Sequence, residues 1–503
     1  MPHRPPEPAR DVPLRIDPED FRKIGYECID LIAGLLSGIA SRPVTRGLKP
    51  SDARTLIGGG TFPAGPTQAD VLIRDIAGKL IDHSLLNGHP RFWGYITSPA
   101  APIGALGDLL AAAVNPNVGS FTLSPVATAV EEQSIRWIAG LIGYPEDCGG
   151  ILVTGGNMAN FVCFLAARRH GTPGDVRRHG IGSAGKKLRI YVSSETHTWI
   201  NKAADMSGIG TEGIRWIPAD AGQRMDPGEL EQRIVEDRAR GDLPLMIVGT
   251  AGTVSTGAID PLRAIAAVAK KYGIWFHVDG AYGAFAASLP DAPDDLRALA
   301  LADSVAVDPH KWLYTPLECG CALVRDRALL RETFHYHPSY YRFSGDPGDA
   351  PTNFFEYGPQ NSRGFRALKV WLGMKQAGRD GIVRMIRDDI ALAEIMHGAL
   401  SSHAEIETHA RGLSIVTFRY VPPGFGDGSP AREEYLNRLN SELLERIQGG
   451  GEAFVSNAVV GGKTLLRACI VNFRTTAADA RALPGIVARY GREIHAAMGA
   501  GGH

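Results

Sequence analysis

A chain of 503 residues is too long for one small core, and at roughly 100–200 residues per domain it calls for two or three lobes. Its 53 Lys and Arg nearly cancel its 54 Asp and Glu, which removes the basic footprint that nucleic acid or an anionic membrane surface requires. The six cysteines, Cys28, Cys148, Cys163, Cys319, Cys321 and Cys469, form no CxxC pair, so they are expected as reduced thiols of a cytoplasmic protein, with no metal expected.

The opening MPHRPPEPARDVPLRIDPEDF holds no apolar run of signal-peptide length. Apolar windows elsewhere are broken by Gly, Pro or charge before membrane-spanning length, so a soluble protein is expected. From Asp17 to about Leu36, Phe21, Ile24, Cys28, Leu31, Ile32 and Leu35 recur at helical spacing, with Asp17 before Pro18 as N-cap. Between about Gly149 and Arg325, short β-rich runs alternate with helical stretches: ILVT, LRIYVS, IRWIP, LMIVGT, IWFHVD, SVAVD and CALVRD. Such alternation predicts an α/β domain whose mainly parallel, seven-stranded sheet is covered on both faces. Asp226-Pro227 and Asp260-Pro261 each place a capping acid before a proline at the first helical position. After Arg363 the helical FRALKVWLGMKQ passes Gly378 into a second helix reaching about Leu400, and LSIVTFRY and LLRACIVNF then mix with helices as a smaller α+β lobe. The expected organisation is an amino-terminal arm and helical segment (1–98), a large α/β domain (99–376) and a small α+β domain (377–503).

Three strand ends in the α/β region carry chemistry. Thr154-Gly155-Gly156-Asn157 follows ILVT and opens a helix, so backbone N–H groups and the helix dipole can meet a phosphate there. Asp279 ends IWFHVD inside HVDGAYG, where an acid can pair with a pyridinium nitrogen. Lys311, in DPHKW directly after SVAVD, can bond covalently to a carbonyl group if its amine is deprotonated. Two near-misses to a nucleotide P-loop, at Gly180 and Asn457, lack the required hydroxyl or first glycine. His335 and His337 alternate without a clear third metal ligand.

With HPRFWGYITSP (from His89), TGGNMAN, SSETHTW, GTAGTVSTGAID, HVDGAYG, DPHKW and GFRALKVWL (from Gly364), the chain resembles the group II pyridoxal-phosphate-dependent decarboxylases. These include aromatic-L-amino-acid, glutamate and histidine decarboxylases. The resemblance implies an aspartate-aminotransferase-like fold (fold type I) and a pyridoxal 5′-phosphate cofactor. It gives Lys311 the covalent attachment, Asp279 the ring nitrogen and His197 the face of the ring. Gly156, Asn157 and His310 fall where the family holds phosphate, and Thr253 and Ala281 where it packs the ring. Gly156-Asn157 departs from the Ala-Ser or Gly-Ser of relatives, so the Asn157 amide must replace a hydroxyl donor.

HPSYY (from His337) falls on the family's catalytic loop, which makes Tyr340 the proton donor, with Tyr341 one residue away as the alternative. Phe92, Trp93, Tyr95, Asn117 and Phe121 fall where the family builds its substrate pocket, shared across a two-fold homodimer. The activity implied is decarboxylation of an L-amino acid to its amine, an aromatic substrate first and glutamate or another polar amino acid second. A C–C lyase, an aldehyde synthase and an aminotransferase are the rivals on the same scaffold. An inactive paralogue acting as a binding partner is disfavoured by the intact Lys311, Asp279 and His197.

Overall fold

Each of the seven β-rich runs becomes a strand: β1 (Gly149–Val153), β2 (Leu188–Ser193), β3 (Ile214–Ile217), β4 (Leu243–Thr250), β5 (Trp275–Asp279), β6 (Ser304–Val307) and β7 (Gly320–Val324). In the computed structural model, which describes residues 12–58, 60–336, 351–424 and 429–500, they form one sheet in the order β1-β7-β6-β5-β4-β2-β3. Pairing is parallel from β3 through β6, whereas β7 runs antiparallel to both neighbours, β1 and β6. All residues of β1, β2, β5, β6 and β7 are buried, as a sheet covered on both faces demands. Helices Gly156–Gly171 and Leu262–Tyr272 supply part of that cover.

Thr250 stands opposite Asp279, and Asp279 opposite Ala306. The carboxyl ends of three adjacent strands are therefore level, which is where open α/β sheets gather ligand-binding groups.

Asp226 caps its helix as expected, accepting from the N–H groups of Gly228 at 2.7 Å and Glu229 at 3.2 Å. Asp260 does not. Its helix begins one residue later, after Pro261. Its fully buried carboxylate turns inward to accept from Met225 N at 2.7 Å and Thr250 N at 2.8 Å, tying off the end of β4. Burial pushes this carboxyl up to about 6.

The smaller antiparallel sheet comprises β8 (Ile406–Gly412), β9 (Ile415–Tyr420), β10 (Ser456–Val460) and β11 (Lys463–Cys469), in the order β10-β11-β9-β8. Helices Pro430–Gly450 and Ala477–Ala500 pack against it around Phe418, Leu443, Leu466 and Val487. The long helix Ala367–Ser401 reaches this second core from the first. It breaks at Gly378, whose φ of 64° and ψ of 170° are foreign to a helix and tolerable only without a Cβ.

The amino-terminal helix Pro18–Gly38 is capped by Asp17, which accepts from Glu19 N at 2.9 Å. None of its residues is buried, and Phe21 and Tyr26 are more than half exposed. By length and composition alone, Pro18–Ser41 is apolar enough to cross a membrane, contrary to the expectation that every such window is interrupted. The stretch nonetheless carries Glu19, Asp20, Arg22, Lys23, Glu27 and Asp30, and Glu27 pairs with Arg74 of the neighbouring helix Ala69–His83 at 2.5 Å.

Candidate active site

The level strand ends surround a cavity of about 400 Å³, lined among others by Thr154, Gly155, Gly156, Asn157, His197, Asp279, Ala281, Asp308, His310 and Lys311. The three chemistry-bearing strand ends of the sequence thus meet in one place.

Asp279 ends β5 and is 6% exposed. Its Oδ2 accepts from the indole Nε1 of Trp199 at 2.8 Å and its Oδ1 from Ala281 N at 3.2 Å, so its orientation is fixed from both sides. His197 Nδ1 accepts from Trp199 N at 3.3 Å, which leaves the ring proton on Nε2 in the neutral form. Burial holds His197 below the ordinary histidine range, against the opposing pull of Asp279.

Beneath this pair runs a buried chain of polar groups. His277 bonds through Nε2 to Asn160 Oδ1 at 2.7 Å and through Nδ1 to Ser304 Oγ at 2.9 Å, while Asn160 Nδ2 donates to Gly156 O at 2.9 Å. The chain links the strand carrying Asp279 to the turn at Gly156. Burial depresses His277 to about 4, so it is neutral.

Gly155, with φ of 97°, brings the backbone into the helix Gly156–Gly171, whose amino terminus no side chain caps. A Cβ on Gly156 would lie 2.6 Å from Asp308 Oδ2, and one on Gly320 would lie 2.4 Å from the carbonyl carbon of Gly155. Only glycines allow this close approach. Lys311 Nζ lies 3.1 Å from Asp308 Oδ2. His310 Nδ1 lies 2.6 Å from Cys319 O and donates to it, and burial lowers this histidine despite the nearby Asp308.

Three buried atoms of cavity-lining residues, Thr250 Oγ1, Asp308 Oδ1 and Glu318 Oε2, have no hydrogen-bond partner. Buried polar atoms rarely stay unpaired, so the cavity is built for a polar guest. An uncapped helix terminus for an anion, an acid at a strand end and an amine across the cavity from it fit pyridoxal phosphate.

Several expected contacts fall elsewhere. Thr253 is fully buried, but its hydroxyl is spent within its own turn, 3.1 Å from Thr256 Oγ1 and accepting from Ala258 N at 3.1 Å. Thr250, Gly252 and Val254 of the same segment line the cavity instead. Phe92 stacks on Phe454 with ring centroids 5.4 Å apart, and Trp93 is sealed in the smaller core, donating to Thr475 Oγ1 at 3.3 Å. Ile96 is the residue of that stretch that faces the cavity. Asn117 Oδ1 accepts from Gly119 N and Arg363 N, pinning its loop. Tyr95 and Phe121 remain partly exposed. Tyr340, Tyr341 and His337 lie outside the described residues.

Trp199 and Asn160 escaped the sequence reading although both stand within the quoted motifs. Their part depends on where a side chain points, which spacing does not encode.

A sheet of this order, with a lysine, an acid and an uncapped helix terminus at its carboxyl edge, defines a pyridoxal-phosphate enzyme of fold type I. The profile of the family described as "Pyridoxal-dependent decarboxylase conserved domain" matches residues 50–421. The chain is 30% identical over 465 residues to an aromatic-L-amino-acid decarboxylase of Bacillus atrophaeus, covering 92% of this chain and 94% of that protein. It is 31% identical over 464 residues to a phenylacetaldehyde synthase of a Rosa hybrid cultivar, covering 90% of each. A crystal structure of Oryza sativa TDC with PLP and tryptamine superposes with a TM-score of 0.88 at 28% identity, covering 96% of this chain and 100% of that one. The chain belongs to the pyridoxal-dependent decarboxylase family. It is therefore a carboxy-lyase with pyridoxal phosphate as cofactor, acting on an amino acid.

Proposed function

We propose that this decarboxylase converts an aromatic L-amino acid to its amine, with Lys311 as the covalent anchor of the cofactor. The wall of the cavity carries the substrate reading. Among the described residues that line it, Lys311 is the one Lys or Arg, whereas Glu195, Asp279, Asp308 and Glu318 are acids. A substrate with a second carboxylate would meet repulsion there. Ile96, Val254 and Leu317 give an apolar surface to an uncharged ring, and tyrosine and tryptophan decarboxylases stand among the similar proteins.

Pyridoxal phosphate, when bound, draws electron density from the substrate Cα and so weakens its bond to the carboxylate. Asp279, held by Trp199 and Ala281 N–H, keeps a proton on the ring nitrogen. His197, held neutral by burial, would pack against a face of the bound ring. The amino terminus of helix Gly156–Gly171, with Asn157 and His310, takes the phosphate. Tyr340 delivers the proton that replaces the lost carboxylate at Cα, acting as a general acid. The 99–376 segment carries all of these groups but Ile96, and the 377–503 lobe packs behind the lysine.

The enzyme acts as a homodimer. Helices Pro18–Gly38, Ala69–His83 and Pro102–Val114 expose the apolar side chains of Phe21, Leu72, Leu80, Leu109 and Leu110, which a second copy would cover. The described cysteines are all free thiols, which fits the cytoplasm.

Mass spectrometry of products from the cofactor-loaded protein, incubated with each common L-amino acid and DOPA, tests this reading. Amine and carbon dioxide from an aromatic amino acid are expected. An aldehyde in place of the amine overturns the role of Tyr340, and turnover of glutamate alone overturns the substrate class. Lys311→Ala is expected to abolish the visible absorbance band of the bound cofactor; its survival refutes the anchor.

A further inference from the structure

We propose that Asp389 is a positioning residue for Lys311, tethering the turn that begins at the lysine to the carboxy-terminal lobe. The inference rests on the reading of Lys311 as the cofactor's anchor. Lys311 opens a tight turn in which Tyr314 N donates to Lys311 O at 3.1 Å. The two aromatic side chains of that turn converge on one oxygen: Asp389 Oδ2 accepts from Trp312 Nε1 at 3.0 Å and from Tyr314 OH at 2.7 Å. Asp389 Oδ1 accepts from Asn472 N at 3.4 Å, and Asn472 Nδ2 donates to His89 O at 2.8 Å. One buried carboxylate on the helix Ala367–Ser401 thus joins the lysine turn, the segment after β11 and the stretch that leads to Ile96 in the cavity wall.

The turn needs such a tether. Tyr314 adopts φ of 52°, a left-handed conformation that a bulky residue takes only when its surroundings enforce it. Its ring is locked edge-on against Phe473, at 5.4 Å between centroids, and its hydroxyl is held by Asp389. Trp312 is fully buried and stacks on Tyr282 at 4.7 Å. Lys311 therefore reaches the cavity from a backbone clamped by Asp389 and Phe473, neither of which lines that cavity.

Three groups donate to Asp389, and two of them, Trp312 Nε1 and Asn472 N, can do nothing else, a set that suits the ionised acid. The titratable groups around it are Asp388 on its own helix, Tyr314 on the turn, Tyr282 behind Trp312 and Cys469 on β11, none of them cationic. Burial without a counter-ion pushes Asp389 up to about 7. The tether is then fully formed above neutral pH and weakens as the acid takes up a proton, because Trp312 Nε1 and Asn472 N can only donate and lose the charged acceptor that they share with Tyr314 OH.

The test compares wild type with Asp389→Leu, which removes every bond, and Asp389→Asn, which keeps an acceptor for Trp312 and Tyr314 without the charge. The first readout is the rate at which cofactor-free protein captures added pyridoxal phosphate, followed by visible absorbance from pH 6 to 8.5. The second is kcat and KM of the loaded fraction. Losing these three hydrogen bonds to a charged group is expected to slow capture and kcat by about tenfold or more with KM little changed. Asp389→Asn is expected to recover part of the loss and to lack a titration near pH 7 that wild type shows. A less stable Asp389→Leu protein with wild-type capture rate and kcat overturns the proposal and leaves Asp389 a packing residue. If Asp389→Leu does not fold, a capture profile of Asp389→Asn that coincides with wild type overturns it equally. Failure of the anchor reading is separate, since it appears as a visible band surviving in Lys311→Ala.

Discussion

Trp199 orients two groups with one side chain and one backbone N–H, the indole on Asp279 and the amide on His197. Below it, His277 holds Asn160 and Ser304 in a chain that water does not reach. Because His277 is depressed to about 4, its effect on stability has a defined pH window. Above about 6.5 the group is neutral in both folded and unfolded chains and contributes no pH dependence. Between about 6.5 and 4 the unfolded chain takes up a proton that the folded one refuses, so stability falls as pH falls, by about 3 kcal/mol in all. Urea unfolding of wild type and His277→Asn at pH 7.5, 6 and 5 measures this: the variant starts less stable and its deficit shrinks with acidity. A constant deficit would show that His277 is not the titrating group.

At this scale the sequence was legible where the backbone dictates the side chain. Asp279 and Lys311 sit at or just beyond the ends of β-rich runs, and a strand end can aim only at the edge of the sheet. The burial of Phe92 and Trp93 was not legible, for the opposite reason. In an irregular stretch between helices, aromatic character does not distinguish a residue that packs against Phe454 or Thr475 from one that faces a substrate. Thr253 likewise lies near the site in sequence while its hydroxyl turns away to Thr256.

Among elements, all seven strands of the large sheet were readable because each is short, apolar and bounded by turn residues. Their order was not, since the chain states no pairing. The helix after Pro261 shows the limit of local signals. An acid before a proline is a good capping pattern, yet Asp260 is drawn inward by Met225 N and Thr250 N, whose buried donors would otherwise be unmet. Close contact between β7 and the turn after β1 yields a direct test. A Cβ at Gly320 would overlap the Gly155 backbone, so Gly320→Ala is expected to cost about 1–3 kcal/mol and to weaken cofactor retention. Both are measurable by thermal unfolding with and without pyridoxal phosphate. A variant that loses stability but keeps full cofactor affinity would mean that the turn can move without harm.

For the whole molecule, the exposed apolar residues of helix Pro102–Val114 and those of the amino-terminal helices set an expectation about assembly. On the proposed homodimer, Leu109→Arg is expected to give monomer in sedimentation velocity and to lower activity along with it. An active monomer would separate catalysis from assembly.

The antiparallel β7 also governs the order of events while the chain is being made. β1 joins the large sheet only through β7, so the glycine turn that follows it lacks its strand support until Gly320–Val324 has emerged. Roughly 170 residues separate the two strands, on the order of 10–30 s of synthesis. During that interval the cup for the phosphate is held by its helix alone, packed on β4, β5 and β6, and not yet braced by β7 against Gly155. Firm capture of the cofactor is thus a late step in biogenesis, and an early-terminated chain that ends before β7 keeps the lysine and the acid yet lacks the Gly320 backbone that braces the anion's turn.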